Sequence, residues 1–160
     1  MNMACVLSGV DGDVRGFESG NPGRYGRCPQ KRQLLHSSAI GAAIIVEFRD
    51  EVYASVERLM HGYGIVTHRA RSAAELSVAM VRHRAELVLL SATQPDESAW
   101  LTSAKLRIID SYRSVWIYTP QQPGALDEWL SMAGADDVIV YGGVLHSLID
   151  SLQFRLGLSE

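Results

Sequence analysis

Three polar residues, Glu47, Ser91 and Thr119, each follow a run of apolar residues, and their types limit the chemistry open to the chain. A carboxylate in such a place can help to hold a divalent cation, and a hydroxyl can act as a nucleophile once a base activates it. Ser91 titrates far above neutral pH and carries no charge. It therefore cannot bind Mg²⁺ or attack an acyl phosphate as a carboxylate does.

Ser91, Thr119, His68 and Asp136 together are the ingredients of a hydrolytic site. However, the chain has no G-x-S-x-G turn, and Gln94–Pro95 stands where a helix would have to begin behind the nucleophile. We therefore interpret Ser91 as a structural hydroxyl and predict that the protein is not an enzyme.

The remaining ligand types give no metal or cofactor prediction. The five histidines show no i,i+4 pairing and no H-E-x-x-H spacing, and the two cysteines form no C-x-x-C pair. Gly142–Gly143, between a strand and a helix, would suit either an anion at the helix N-terminus or a simple tight turn. Asp136–Asp137 are expected to bond backbone amides in a turn.

Composition excludes several classes of partner. The chain has 160 residues, 47% of them apolar and 21% charged, with a net charge of −3. This balance gives no electrostatic reason to expect binding to nucleic acid or to an acidic membrane surface. No apolar run approaches the roughly 20 residues that span a bilayer, and no signal-peptide pattern opens the chain. We predict a cytoplasmic protein.

The chain divides near residue 38. Residues 1–38 are rich in glycine and lack a sustained apolar period, so they are predicted to be a flexible, disordered arm. This arm carries five basic residues against three acidic ones. Residues 39–160 are predicted to form the folded domain, which is acidic.

Within residues 39–160, short apolar runs alternate with segments of helical spacing. The runs are apolar at most positions, which is typical of strands buried on both faces of a parallel sheet. They are 42–47, 65–68, 86–90, 115–119 and 137–141. The intervening helices are expected to bury faces that include Val52 and Val56, Leu76 and Met80, Leu101 and Ile108, Leu126 and Leu130, and Leu152 and Leu156. Asp50 and Ser72 are predicted as helix N-caps. The alternation predicts a doubly wound α/β domain with a five-stranded parallel sheet of flavodoxin-like order, 2-1-3-4-5.

The residues at the ends of these strands and in the turns between elements resemble those of bacterial response-regulator receiver domains, over roughly residues 42–156. The most specific match is the turn Gly134–Ala135–Asp136–Asp137 before the last strand. Ser91 falls at the family's phosphoacceptor aspartate, and Pro95 matches the proline of the loop after it. Thr119 falls at the family's switch hydroxyl.

Other positions depart from that family. Its acidic metal-binding pair becomes Glu47 and Phe48, and Tyr141 takes the place of its lysine. The resemblance therefore implies a degenerate pseudo-receiver with a vestigial phosphorylation pocket formed by Glu47, Phe48, Ser91, Thr119 and Tyr141. Arg49 and Arg71 lie near the same end of the sheet. We expect a guanidinium from one of them to reach Glu47 and replace the missing cation.

Receivers contact their partners through the face formed by the fourth helix, the last strand and the fifth helix. In this chain that face is expected to present Trp129, Tyr141 and Phe154, and aromatic side chains are enriched at interface centres. The resemblance thus implies a phosphorylation-independent signalling adaptor. Its partner would be a regulator, a kinase or a second copy of the chain. The alternative is a small-molecule domain that binds an anion or nucleotide through Arg49 and Gly142–Gly143.

Overall fold

The computed structural model describes residues 40–158, so the arm predicted for residues 1–38 lies outside the described residues. Five strands alternate with five helices. The strands are β1 Ala42–Val46, β2 Val66–Ala70, β3 Leu87–Ser91, β4 Ser114–Thr119 and β5 Asp137–Val140. The helices are α1 Asp50–Gly62, α2 Ala73–Arg82, α3 Ala99–Ile109, α4 Leu126–Ala133 and α5 Leu145–Arg155. No helix within 40–158 is both long and apolar enough to cross a bilayer.

The strands form one parallel sheet in the order β2-β1-β3-β4-β5, as predicted. One hydrophobic core lies between the sheet and helices α1 and α5. A second core lies between the opposite face of the sheet and helices α2, α3 and α4. Strand β3 is buried at every position because both of its faces are covered. The prediction of a doubly wound α/β domain is confirmed.

The parallel order fixes where functional side chains can meet. All five strands point the same way, so their carboxyl ends share one edge of the sheet. Ser91 pairs with Tyr118 across β3 and β4, and Thr119 pairs with Val140 across β4 and β5. Glu47, directly after β1, donates its amide to the carbonyl of Ala70 at 2.9 Å. The ends of all five strands therefore converge there.

Two local predictions need correction. Strand β2 runs to Ala70 rather than ending at His68, because it pairs with β1 along its full length. Asp50 is the first residue of α1, not its N-cap, and its carboxylate pairs with Arg69 and Arg71. Ser72 does cap α2, because its hydroxyl accepts a hydrogen bond from the Glu75 amide at 3.2 Å.

The face predicted for α3 is wrong. Leu101 and Ile108 are exposed, whereas the helix buries Ala99, Thr102, Ser103 and Leu106. Small side chains let α3 lie close to its neighbours, and the Thr102 hydroxyl donates to the Ser98 carbonyl within the same helix at 3.1 Å. A partly polar face is thus buried, with the Ser103 hydroxyl left without a hydrogen-bond partner among the described residues, and large aliphatic side chains are left in water.

The turn before β5 is held by Arg107 of α3. Its guanidinium donates to the carbonyls of Gly134, Ser111 and Arg113 and pairs with the carboxylate of Asp136. Asp136 also accepts a hydrogen bond from the backbone amide of Val115 at 2.8 Å, so the turn is tied to β4. Gly134 itself has a positive φ of 62°, a conformation that costs other residues free energy.

Replacing Gly134 by alanine is expected to destabilise the protein by about 2–3 kcal/mol. The new Cβ would lie 2.7 Å from Cγ of Arg107, a side chain that its hydrogen bonds hold in place. Gly157 is a matched control, because its φ is +68° but no atom lies within 4 Å of its added Cβ. Urea unfolding monitored by circular dichroism should show the smaller loss for Gly157→Ala. Equal losses would mean that the contact with Arg107 contributes nothing.

Candidate functional site

The centre of the carboxyl edge is a buried carboxylate. Glu47 has a relative exposure of 1%, and its side chain is fully inaccessible to solvent. A buried charge of this kind is costly unless hydrogen-bond donors surround it. The position of Glu47 after an apolar strand therefore requires a set of partners from the neighbouring loops and strands.

Arg49 supplies most of those partners from only two residues away. Its backbone amide and its Nε both donate to Oε1 of Glu47, at 2.8 and 3.0 Å. Its Nη2 donates to Oε2 at 2.7 Å. The side-chain contacts form the bidentate fork that guanidinium and carboxylate groups favour. The loop between β1 and α1 thus carries both the charge and its counter-charge.

Tyr118 of β4 completes the site from the sheet. Its ring is fully buried, and its hydroxyl donates to Oε2 of Glu47 at 2.8 Å. Each carboxylate oxygen therefore accepts two hydrogen bonds. The hydroxyl of Tyr141 lies 3.4 Å from Nη1 of Arg49 and accepts from it. We call these four side chains, Glu47, Arg49, Tyr118 and Tyr141, the buried network.

The protonation states follow from this geometry. Burial alone would raise the pKa of Glu47, but hydrogen bonds from Arg49 and Tyr118 outweigh it, and the pKa lies below its ordinary value. The Glu47 carboxylate raises the pKa of Arg49. Burial, and then the Glu47 charge, raise the pKa of Tyr118 well above its usual range. At physiological pH the network therefore holds the Glu47 carboxylate, the Arg49 guanidinium and the protonated phenol of Tyr118.

A second arginine holds the loop that carries the network. Arg69 of β2 donates from Nε to the Glu47 carbonyl at 3.0 Å and from Nη2 to the Phe48 carbonyl at 3.1 Å. It also pairs with Asp50 at 2.6 Å and lies over the ring of Tyr53. These contacts fix the backbone between β1 and α1.

The two arginines predicted to replace a cation behave differently. Arg49 contacts Glu47 as described above. Arg71 instead pairs with Asp50 at 2.9 Å, in a site where both side chains are largely exposed. The prediction is therefore corrected for Arg71, because Asp50 at the start of α1 is the carboxylate within its reach.

Ser91 and Thr119 lie beside the network without joining its ion pair. Ser91 is buried at the end of β3, next to Tyr118, its register partner on β4. The Thr119 hydroxyl donates to the Gln121 carbonyl at 2.8 Å, so it shapes the loop after β4. Phe48 is partly exposed, and the guanidinium of Arg49 lies 5.9 Å from the centre of its ring.

The predicted interaction face needs one correction. Tyr141 has a relative exposure of 6% and belongs to the core beneath α1 and α5, because its hydroxyl turns inward to Arg49. It cannot serve as a contact residue on the surface. Trp129 of α4 is partly exposed and packs against Trp100 of α3, with ring centres 5.8 Å apart. Phe154 of α5 is exposed.

Sequence reasoning did not identify Tyr118 or Arg69 as site residues. Tyr118 had a detectable signal, because a tyrosine in a strand buried on both faces needs a partner for its hydroxyl. Arg69 had a weaker one, as a charged residue on an edge strand next to the β1–α1 loop. Neither signal names Glu47 as the partner, since that depends on the register of the sheet.

The fold is shared with response-regulator receivers of known structure. A two-component response regulator from Clostridium difficile superposes with a TM-score of 0.62 at 16% identity, covering 72% of this chain and 95% of that one. A CheY-like receiver domain protein from Methanospirillum hungatei gives a TM-score of 0.63 at 17% identity, with 75% and 96% covered. The chemotaxis protein CheY4 of Vibrio cholerae gives 0.63 at 15% identity, with 74% and 100% covered. No protein-family model and no curated protein matches the sequence. The receiver-type fold is thus confirmed by structure.

The residues at this edge do not fit the Mg²⁺ ion that the receiver fold implies. Mg²⁺ demands near-octahedral oxygen coordination, with one or two carboxylates among its ligands. Glu47 is the acid at the end of β1, and both of its oxygens are already occupied by Arg49 and Tyr118. A guanidinium in contact with that carboxylate would repel a cation. Residues 40–158 also contain no cluster of three or more His, Cys, Asp or Glu side chains suited to a metal.

Neither the hydrolytic site nor the anion site considered from the sequence is assembled here. His68 lies on edge strand β2, two strands away from Ser91, and stacks on His83. Asp136 lies at the opposite edge of the sheet, in contact with Arg107. The anion site is not favoured either, because Arg49 is already paired with Glu47. Gly142 and Gly143, both with positive φ, form the turn before α5.

Glu47→Gln is expected to lower the free energy of unfolding at pH 7 by about 2–4 kcal/mol, because it removes the charge that Arg49 and Tyr118 surround. The lowered pKa of Glu47 contributes stability above its ordinary value of 4.5, and this contribution is lost as the pH falls through the folded value. The difference in the free energy of unfolding between wild type and variant, measured by urea unfolding, should therefore become smaller from pH 7 to pH 3.

Glu57→Gln is the matched control. Glu57 accepts one hydrogen bond, from the Tyr53 hydroxyl at 2.7 Å, and is only partly buried. Its replacement should cost about 1 kcal/mol or less. If Glu47→Gln cost no more than this control, the buried network would not be a stabilising element.

Proposed function

We propose that this protein is a signalling regulator of the receiver type that works without phosphorylation and acts through contacts with other proteins. The observation that carries this proposal is the complete occupation of Glu47. Its two carboxylate oxygens accept four hydrogen bonds from Arg49 and Tyr118. Nothing is left of Glu47 to bind a metal ion.

Three further features support the proposal. The phosphoacceptor position holds Ser91, a buried hydroxyl that is not ionised at neutral pH. Tyr141 offers a phenol where an ammonium group would pair with a phosphoryl oxygen, and this phenol is already bonded to Arg49. Thr119 is engaged with the backbone of Gln121. Each group that would take part in a phosphorylation switch has another partner or the wrong chemistry.

The buried network also favours a single conformation. The ion pair of Glu47 and Arg49 joins the β1–α1 loop to β4 through Tyr118 and to the end of β5 through Tyr141. Breaking a buried, hydrogen-bonded ion pair costs several kcal/mol. We therefore propose that the carboxyl edge is held in one state, which a partner protein recognises.

The proposed contact surface is the face of α4, β5 and α5. It presents Trp129, Met132, Val140 and Phe154, all of which are exposed to solvent. Aromatic and methionine side chains are enriched in protein interfaces. The partner would be a regulator, a kinase or a second copy of this chain, in which case the protein forms a homodimer.

The test is to add Mg²⁺ and then beryllium fluoride, which mimics a phosphoryl group on a carboxylate, to the full-length protein. Intrinsic tryptophan fluorescence and mass spectrometry after treatment with acetyl phosphate are the readouts. We expect no saturable fluorescence change at millimolar Mg²⁺ and no added mass of a phosphoryl group. A phosphorylatable receiver serves as the positive control.

Two variants distinguish the two reasons for a missing response, which are the serine at the phosphoacceptor position and the hydrogen bonds that occupy Glu47. Ser91→Asp restores a carboxylate but leaves Glu47 occupied, so it should still fail to respond. The triple variant Ser91→Asp, Arg49→Ala, Tyr118→Phe frees Glu47 and should gain affinity for Mg²⁺, with circular dichroism as the check on folding. A saturable response of the wild type, or of Ser91→Asp alone, would refute the proposal.

A further inference from the structure

A cleft on the opposite side of the sheet from α1 and α5 has no role in the function proposed above. It lies between α2 and α3 and has a volume of about 630 Å³. Its apolar lining includes Leu76, Met80 and Leu106. A cavity of this size with an apolar lining and a few polar groups has the general character of a binding site.

The rim of the cleft extends into an unusually exposed apolar surface. Val81 at the end of α2 is 88% exposed, and Ile109 at the end of α3 is 77% exposed. Ile108 and Tyr112, which adjoin the cleft-lining residues Ile109 and Arg113 in the sequence, are almost fully exposed. Large apolar side chains grouped on a surface mark interaction sites more often than chance placement. The exposed apolar residues of α3 therefore have the character of an interaction site.

Arg113 lines the cleft, and some of the N–H groups of its guanidinium have no good acceptor. Its side chain is only 14% exposed. Nε lies 3.3 Å from the carboxylate of Asp110, and Nη1 contacts the thioether sulfur of Met80, a poor acceptor. Nη2 has no acceptor among residues 40–158. A guanidinium can donate five hydrogen bonds, so this one can receive a further carboxylate once the flexible Met80 side chain moves.

The charges near the end of α2 favour a partner with acidic side chains at that end of the cleft. Arg82 ends α2 and Arg84 follows it, both are exposed, and neither forms an ion pair within the described part of the chain. The acidic side chains that line the cleft are already engaged, and at the Arg113 end Asp110 pairs with that arginine at 3.3 Å. Asp96 accepts from the amides of Ala73 and Ala74, and Glu97 pairs with Lys105.

We propose that this cleft binds an amphipathic helix of a partner protein. The helix would place aliphatic side chains, spaced i, i+4 and i+7, between α2 and α3. Acidic side chains at one end of the helix would pair with Arg113, Arg82 and Arg84. This mode matches recognition of a helix in a groove, where apolar anchors supply affinity and flanking charges set orientation.

A small molecule fits the surface less well, because within the cleft it would leave Ile108 and Tyr112 in water. A second copy of the chain is the other possible occupant, and sedimentation velocity distinguishes it from a partner helix. The proposal uses a different surface from the α4–β5–α5 face, and it holds whether or not the protein is phosphorylated.

The experiment uses two yeast-displayed libraries of 18-residue amphipathic helices as the probe and the labelled full-length protein as the bait. Both libraries vary the aliphatic anchors, and they differ only in flanking Glu or flanking Lys. We expect binders from the Glu library, at least tenfold more abundant than from the Lys library. Ile109→Glu should weaken these binders at least tenfold, because it puts a charge on the apolar rim.

Val66→Glu is the matched control, since it places the same charge on an exposed apolar residue of strand β2, and it should leave binding unchanged. Arg113→Gln should reduce the preference for Glu over Lys, with thermal unfolding as the check on folding. No enrichment, or binders that Ile109→Glu does not affect, would overturn the proposal. A wild-type dimer in sedimentation velocity that Ile109→Glu converts to a monomer would overturn it in favour of a second copy.

Discussion

The carboxyl edge of the sheet depends on the need to satisfy one buried charge. Glu47 is removed from water at the end of a buried strand, and leaving a carboxylate there without partners would cost several kcal/mol. Arg49 and Tyr118 meet that need with four hydrogen bonds to its two oxygens. The ionised carboxylate in turn raises the pKa of Arg49 and keeps the phenol of Tyr118 protonated. The charge state and the conformation of the edge therefore support each other.

This arrangement places an ion pair at the carboxyl edge of the shared fold. In a parallel sheet of this order, functional groups gather where the strands end, whatever their chemistry. Here that position holds an internal ion pair, with a serine and two tyrosines around it. The ion pair leaves no oxygen of Glu47 free for a metal ion.

Sequence reasoning was strongest for the fold, since burial on both faces of a strand leaves a direct pattern in Leu87–Ser91 and its counterparts. It failed for α3, where Thr102 and Ser103 are buried while Leu101 and Ile108 are exposed. Hydrophobic periodicity assumes that the apolar face of a helix faces the core, and close packing of small hydroxyl residues breaks that assumption. The same failure concealed the exposed rim beside the α2–α3 cleft.

The sequence alone determined the alternation of strands and helices and, from it, the order of the sheet. It also determined the presence of Glu47, Ser91, Thr119 and Tyr141 at strand ends. These features depend on residues close together in the chain. Only the tertiary structure decided which arginine meets Glu47, that Tyr118 shares it, and that Tyr141 faces inward. Such pairings depend on strand register and side-chain direction, which join residues as far apart as Arg49 and Tyr141, and a linear pattern does not encode the distances between them.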